Sequence, residues 1–222
     1  MLKNILFTCL VIFYSTILCA ENHQKNSVDS DFKTAVKHIE KKRFFEAYEI
    51  FSALADQGIP EAQFNLALLY SNGLGVPKNY RLALYWSWQA HLNDHETAIN
   101  RVNIIYDLID EKLRNSVAQT IIDEMLLIAQ SGDRAAPLKL GKTYLGLFVE
   151  AQYKPAYLWL SISQAYGEER ANALMEEAAS QMTLEEVLAQ QEEAQKAFDL
   201  SLIHISEPTR LLSIGGGGVW VE

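Results

Sequence analysis

Four small residues, each followed four positions later by an alanine, set the period of this chain: Gly58/Ala62, Asp94/Ala98, Gly132/Ala136 and Gly167/Ala171. The alanines fall 36, 38 and 35 residues apart. A period of this length restricts a chain to like supersecondary units, none of which buries its apolar face alone, stacked side by side. Four residues beyond each alanine stands Leu66, Val102, Leu140 or Met175, and eight beyond stands Tyr70, Tyr106, Tyr144 or Ala179. Positions i, i+4 and i+8 fall within about 80° on a helix, so each set forms one buried stripe. Alanine at the start of the stripe lets a neighbouring helix come close. Tyrosine at its end packs a ring and keeps a hydroxyl for a polar partner.

A second helix precedes each anchor. Ile50, Trp86 and Trp159 each stand eight residues before Gly58, Asp94 and Gly167, and Ala47, Ala83 and Ala156 stand three residues before them. Large and small residues three apart on one face suit interdigitated helix packing. The pattern predicts helices near 31–41, 44–57, 60–72, 79–92, 95–108, 112–131, 135–146, 153–166, 168–181 and 184–199. No alternating strand pattern with turn chemistry occurs. The fold class expected is all-α.

The strongest single segment is GIPEAQFNLALLYSNGLGVPKNYRLALYWSWQA, residues 58–90. Its connector, Ser71 to Asn79, carries Gly73 and Gly75 where positive φ is needed, then Pro77 to stop the first helix and Asn79 to cap the second. This segment resembles the Sel1-like repeat, a relative of the tetratricopeptide repeat with a longer glycine-rich turn. The resemblance rests on Ala62, Leu66, Ala67, Tyr70, Gly73, Gly75, Val76, Ala83, Trp86 and Ala90. Residues 136–167 make a second copy with Leu140, Gly141, Tyr144, Gly146, Ala156 and Trp159, in which Phe148-Val149-Glu150 replaces the second glycine region. Residues 31–58 read as a degenerate first unit, and residues 95–132 keep the stripe without the glycine turn. Residues 182–186 and the Ala/Gln-rich stretch after them resemble the segment that closes such arrays, with Thr183 and Glu186 as a capping box. The resemblance implies an α/α solenoid of stacked helical hairpins that binds another protein or a peptide, and it names no partner.

Both ends read differently from this body. Residues 1–20 have Lys3, an almost unbroken apolar run from Ile5 to Leu18, and the small Ala20, which together predict a secretory signal peptide. Residues 21–30 are polar and predict a flexible leader. Repeats are thus expected over 31–199. Residues 200–210, LSLIHISEPTR, resemble one reading frame of a transposase-delivered sequencing adaptor, and Gly215 to Gly218 is what a run of G bases encodes. Residues 200–222 are therefore expected to be a non-native tail. The two cysteines, Cys9 and Cys19, both lie in the predicted signal peptide, so the mature chain is expected to have no disulfide and no thiolate chemistry. The 28 acidic residues outnumber 19 basic ones, giving a charge of −9 that argues against nucleic-acid binding. No run outside residues 1–20 is apolar enough to predict a membrane span.

Chemistry-bearing motifs are sparse. His91 and His95 lie four apart beside Asp94 and Glu96, but the repeat puts a helix break at Asp94, so they predict a polar turn with Asp94 as N-cap rather than a metal site. Ser30-x-x-Lys33 matches the start of a penicillin-recognising serine site, but the supporting SDN and KTG motifs are absent. Ser30 is read instead as the N-cap of the first helix. Gly141-Lys142-Thr143 lacks a phosphate loop. The pairs Glu168-Glu169, Glu176-Glu177, Glu185-Glu186 and Glu192-Glu193 predict a solvated acidic face. Trp86 and Trp159 fit the repeat core, whereas Trp88, about 200° round the helix from Trp86, is expected at the surface. No catalytic residue, cofactor or metal is predicted. The expected contacts to a protein or peptide partner are Gln63, Asn65, Trp88, Lys139 and Lys142, in a periplasmic or secreted scaffold of the bacterial envelope. The alternative is an envelope enzyme of weak activity on cell wall or β-lactams.

Overall fold

The computed structural model describes residues 25–206, with side chains to residue 199. The predicted signal peptide, residues 21–24 and residues 207–222 lie outside the described residues. Every regular element among those described is an α-helix. The chain divides after Leu108. The first unit holds α1 (residues 25–40), α2 (Phe44–Asp56), α3 (Pro60–Asn72), α4 (Tyr80–Leu92) and α5 (Ala98–Tyr106). The second holds α6 (Glu111–Gln130), α7 (Ala136–Gly146), α8 (Tyr153–Ala165), α9 (Ala171–Ser180) and α10 (Leu184–Ser206). Helices adjacent in sequence pair as hairpins, α2 with α3, α3 with α4 and α4 with α5, then α6 with α7, α7 with α8 and α8 with α9. α10 returns to pack on α8.

The four residues that set the sequence period share one backbone solution. Gly58, Asp94, Gly132 and Gly167 have φ of 81°, 64°, 92° and 89°. At each, the residue's N–H donates to the carbonyl three back, and the next N–H donates to the carbonyl five back. Thus Gly58 bonds Ala55 and Ile59 bonds Leu54, Asp94 bonds His91 and His95 bonds Ala90, and Gly132 with Asp133 and Gly167 with Glu168 repeat the pair. This is the Schellman cap, which satisfies two carbonyls left open at a helix end and turns the chain. Asp94 is therefore the left-handed residue that ends α4, and the N-cap expectation for it is corrected: α5 begins only at Ala98.

Lys42 (φ 57°) builds the same cap between α1 and α2, with its N–H on Ile39 and that of Arg43 on His38. An exposed lysine has no steric reason to favour that φ, and the left-handed region costs a side-chain-bearing residue about 1 kcal/mol. Lys42→Gly is expected to raise stability by about 0.5–1 kcal/mol. A chemical-denaturation midpoint that does not rise would contradict the cap assignment.

The stripes pack as the period predicts. Ala62, Ala98, Ala136 and Ala171 are buried, as are Leu66, Val102 and Leu140, while Met175 is half-buried. In the first unit Ala47, Phe51, Leu54, Leu66 and Leu69 form one core with Ala35 of α1. In the second, Leu138, Ala156, Leu160 and Ala171 form another. Gly141 marks a close approach of α7 to α8: a methyl there would lie 2.5 Å from Leu160 Cγ. Asn79 caps α4 by accepting from the Leu82 N–H at 3.1 Å. Thr183 and Glu186 form the expected capping box, Thr183 N–H on Glu186 Oε2 at 2.9 Å and Glu186 N–H on Thr183 Oγ1 at 3.3 Å.

Both glycine-region loops close alike. The N–H of Asn79 donates to the Tyr70 carbonyl, and that of Gln152 to the Tyr144 carbonyl, each at 2.9 Å. The second loop lacks the Gly75 equivalent and is held from outside. Arg114 of α6 donates to the carbonyls of Leu147 and Phe148 at 2.8 and 2.7 Å, and Asn115 accepts from the Val149 N–H at 3.0 Å. The long α6 thus replaces backbone freedom with side-chain anchors.

Two boundaries differ from expectation. α1 is helical from residue 25, so residues 25–30 of the predicted leader are helix and Ser30 is not an N-cap. Val28, Phe32 and Ile39 pack on the first-unit core with Ala35, so the apolar stripe starts two residues before Ser30, one turn before Phe32. At the other end α10 continues from Leu200 to Ser206, into the segment that the sequence sets apart.

Candidate partner-binding surface

Trp88 corrects the sequence reading most sharply. It is 1% exposed, with its ring 5.0 Å from that of His91, and it is the largest fully buried side chain among the described residues. It offers no surface to a partner. Trp86 is only half-buried against the first-unit core. The helical-wheel argument assumed one buried face, but α4 packs against both α3 and α5. Ala83, Leu84, Ser87, Gln89, Ala90 and Leu92 are buried along with Trp88, so the burial runs round most of the helix.

Gln63 is the second correction. It is 3% exposed and braces three elements: its Nε2 donates to the Ala55 carbonyl at 3.1 Å, and its Oε1 accepts from Asn93 Nδ2 at 2.9 Å. A buried amide needs such partners, and these tie the end of α2 to the end of α4 through α3. Gln63 therefore holds the stack together.

Asn65, Lys139 and Lys142 are half-buried. Asn65 Nδ2 donates to its own helix at the Glu61 carbonyl, 2.8 Å away. Lys142 lies within electrostatic reach of Glu168. The main partner of Glu168 is Arg170, whose Nε and backbone N–H both donate to its Oε1 while an Nη donates to Oε2. These bonds hold the exposed carboxyl down to about 2. Asn65 and Lys139 occupy the same place in the repeat, three residues after the anchor alanine. The corresponding residue of α5 is Arg101, also half-buried, which sequence reasoning passed over although the repeat alignment points to it.

Arg101 reaches across to α3, where its Nη2 donates to Ser71 Oγ. Nearer the start of α5, His95 stacks on Phe64 of α3, with ring centroids 4.3 Å apart. The histidines have separate surroundings, His91 in α4 beside Trp88 and His95 past its end. Among the described residues no group of three or more His, Cys, Asp or Glu side chains converges as a metal site would. Ser30 and Lys33 are exposed within α1, and the Ser30 carbonyl accepts from Thr34 Oγ1 at 2.9 Å.

Tyrosines close the stripes as expected. Tyr70 OH lies 3.3 Å from Tyr48 OH, and burial raises the Tyr70 pKa above its ordinary value, which keeps the phenol protonated. In the second unit a recess of about 320 Å³ opens between α8, α9 and α10, lined among others by Tyr157, Ser161, Met175, Gln191 and Phe198. Gln191 Nε2 donates to Tyr157 OH across it at 3.0 Å.

The hairpin α3–α4 therefore has a buried Ala62 and Leu66, left-handed Gly73 and Gly75, an Asn79 cap and a buried Ala83. Residues 60–87 match the family model of the Sel1 repeat. The chain contains a Sel1 repeat. That match spans the first helix, the glycine turn and the first eight residues of the second helix, which runs on to Leu92. Among solved structures the chain is similar to a protective antigen present in uropathogenic Escherichia coli strains that displays an SLR fold, at 17% identity and a TM-score of 0.34, over 88% of this chain and 49% of that one. It is also similar to a Sel1 repeat protein from Oxalobacter formigenes, at 20% identity and a TM-score of 0.29, over 77% of this chain and 88% of that one. The chain thus spans about half the length of the first of these. No curated protein matches it. Around the Sel1 repeat, the same cap and stripe extend the hairpin pattern to α5, α7 and α9, beyond the matched residues.

Proposed function

We propose that this chain is an exported helical-repeat scaffold that holds a protein or peptide partner in the bacterial envelope, without catalysis of its own. The observation that carries the reading is the position three residues after three of the four anchor alanines. There α3, α5 and α7 present half-buried polar side chains, Asn65, Arg101 and Lys139, while the residues on either side of them in the stripe are core. Within each unit the paired helices offer a partner a surface several side chains long, which suits a polypeptide more than a small molecule. Lys142 extends the polar set on α7. Among the described residues no helix is long and apolar enough to cross a membrane. Export is supported by the lysine, apolar run and small residue of positions 1–20.

Two measurements test the halves separately. Residues 1–29 fused to a reporter active only outside the cytoplasm are expected to give signal, and a stable but silent fusion ends the export reading. The full chain immobilised against a periplasmic extract is expected to retain a specific protein that the Asn65→Ala, Lys139→Ala, Lys142→Ala triple variant loses. Equal retention by a folded triple variant removes these residues from the contact surface.

A further inference from the structure

Charge is divided unevenly along this chain. Residues 25–108 carry ten acidic and nine basic residues, whereas residues 109–199 carry fifteen and eight. The imbalance sharpens in two short stretches. Residues 33–43 hold Lys33, Lys37, Lys41, Lys42 and Arg43 against the single Glu40, a net +4. Residues 184–199 hold Glu185, Glu186, Glu192, Glu193 and Asp199 against the single Lys196, a net −4.

Both stretches turn one sign outward. Lys33 and Lys37 stand a turn apart on α1, and the Lys41 N–H donates to the Lys37 carbonyl, which carries the same row past the helix end. At 1.5 Å per residue the row is about 12 Å long. It lies opposite the buried Ala35, which is two residues and about 200° from Lys37. All five cations are exposed, and none forms an ion pair among the described residues, although Glu40 is near in sequence. On α10, Glu185 and Glu192 lie two turns and about 10 Å apart on one face. Both are exposed and outside any ion pair, because Lys196 is held by Glu193 at 2.8 Å. Leu188 lies between them at 51% exposed, and Leu184 beside them at 75%. A surface that serves only solubility mixes both signs and keeps its leucines covered.

We propose that the α1 row binds a second copy of this chain through that copy's α10 face. Glu185 and Glu192 of one protomer then sit among Lys33, Lys37 and Lys41 of its partner. Leu184 and Leu188 pack beneath the lysine stems and against the exposed Val36. The occupant follows from charge complementarity: α10 carries, over nearly the same length, the opposite sign together with apolar side chains in need of cover. Because the two faces differ, the contact is heterologous. Each exposed ion pair contributes little by itself, so the contact needs the whole row and weakens with salt. This inference is independent of the peptide-binding reading above.

Sedimentation of the full chain tests it. Protein is varied from about 1 µM to about 1 mM, the span of weak contacts. At about 0.05 M salt the mass is expected to rise with concentration, and at about 0.5 M salt the association is expected to weaken about tenfold or more. The double variants Lys37→Glu/Lys41→Glu and Glu185→Lys/Glu192→Lys are each expected to stay monomeric, since like signs then face each other. An equimolar mixture of the two is expected to associate again, because each reversed row meets its opposite on the other protein. Circular dichroism matching the parent's establishes that each variant is folded. A parent that stays monomeric overturns the proposal, as does association that salt leaves unchanged or strengthens. A mixture of folded variants that fails to associate overturns it too. Phosphatidylglycerol vesicles bound by a monomeric parent, and released by Lys37→Glu/Lys41→Glu, would give the row to a lipid surface and overturn the second copy.

Discussion

Trp88→Ala is expected to lower the stability of the folded chain by about 3–5 kcal/mol, the range for emptying a buried aromatic site. The indole is 1% exposed and sits in α4, which packs on a helix at each side. Removing a ring so fully enclosed leaves a void inside the first unit. Repeat arrays share stability between neighbours, so the loss should appear in the melting of the whole first unit. Trp86→Ala, which removes a half-buried ring, is expected to cost clearly less. Urea unfolding of the two variants beside the parent checks the order. If Trp86 proves the more costly, the packing of α4 described here is reversed.

Gly75→Ala is expected to cost about 2–4 kcal/mol, from two separate causes. Its φ of 74° lies in the left-handed region, where a β-carbon is disfavoured. In addition, that β-carbon would stand 2.4 Å from the Phe44 carbonyl oxygen and 2.8 Å from the Phe45 nitrogen. Those are backbone atoms at the start of α2, and they cannot rotate away as a side-chain tip would. Gly58→Ala is the internal control. Its φ is 81°, but nothing lies within 4 Å of the added methyl, so only the backbone cost of about 1–2 kcal/mol applies. Equal losses at the two positions, measured by thermal unfolding, would mean that the α3–α4 loop does not press on α2.

The repeat was legible because its markers are steric. Only a left-handed residue makes the Schellman turn, and the buried positions 62, 98, 136 and 171 all carry the small alanine, which lets a neighbouring helix come close. Both leave a trace in the identity of a single residue. Asp94 was found at the same place despite being no glycine, because the stripe behind it kept the spacing. The start of α1 was hidden by the polar residues around Val28, whose burial depends on a core assembled from α2 and α3. The surface was harder to read. Gln63 looks like an exposed polar residue until α2 and α4 bring the Ala55 carbonyl and Asn93 to it. Trp88 follows the wheel of an isolated amphipathic helix poorly, since a helix inside a stack has two buried faces. Arg101 stands at the same position as Asn65 and Lys139, but its contact with Ser71 is a property of the assembled hairpins alone.

A scaffold reading makes its sharpest claim about where a partner sits. A photo-crosslinking amino acid placed at position 65 or 101 of the full chain, both in the first unit, and expressed in the source cell, tests that directly. Glu49 of the same unit, which is exposed, supplies the control position. The account predicts one common crosslinked protein from positions 65 and 101 on irradiation, and none from position 49. Crosslinks confined to 49, or an unrelated set from each position, would contradict it.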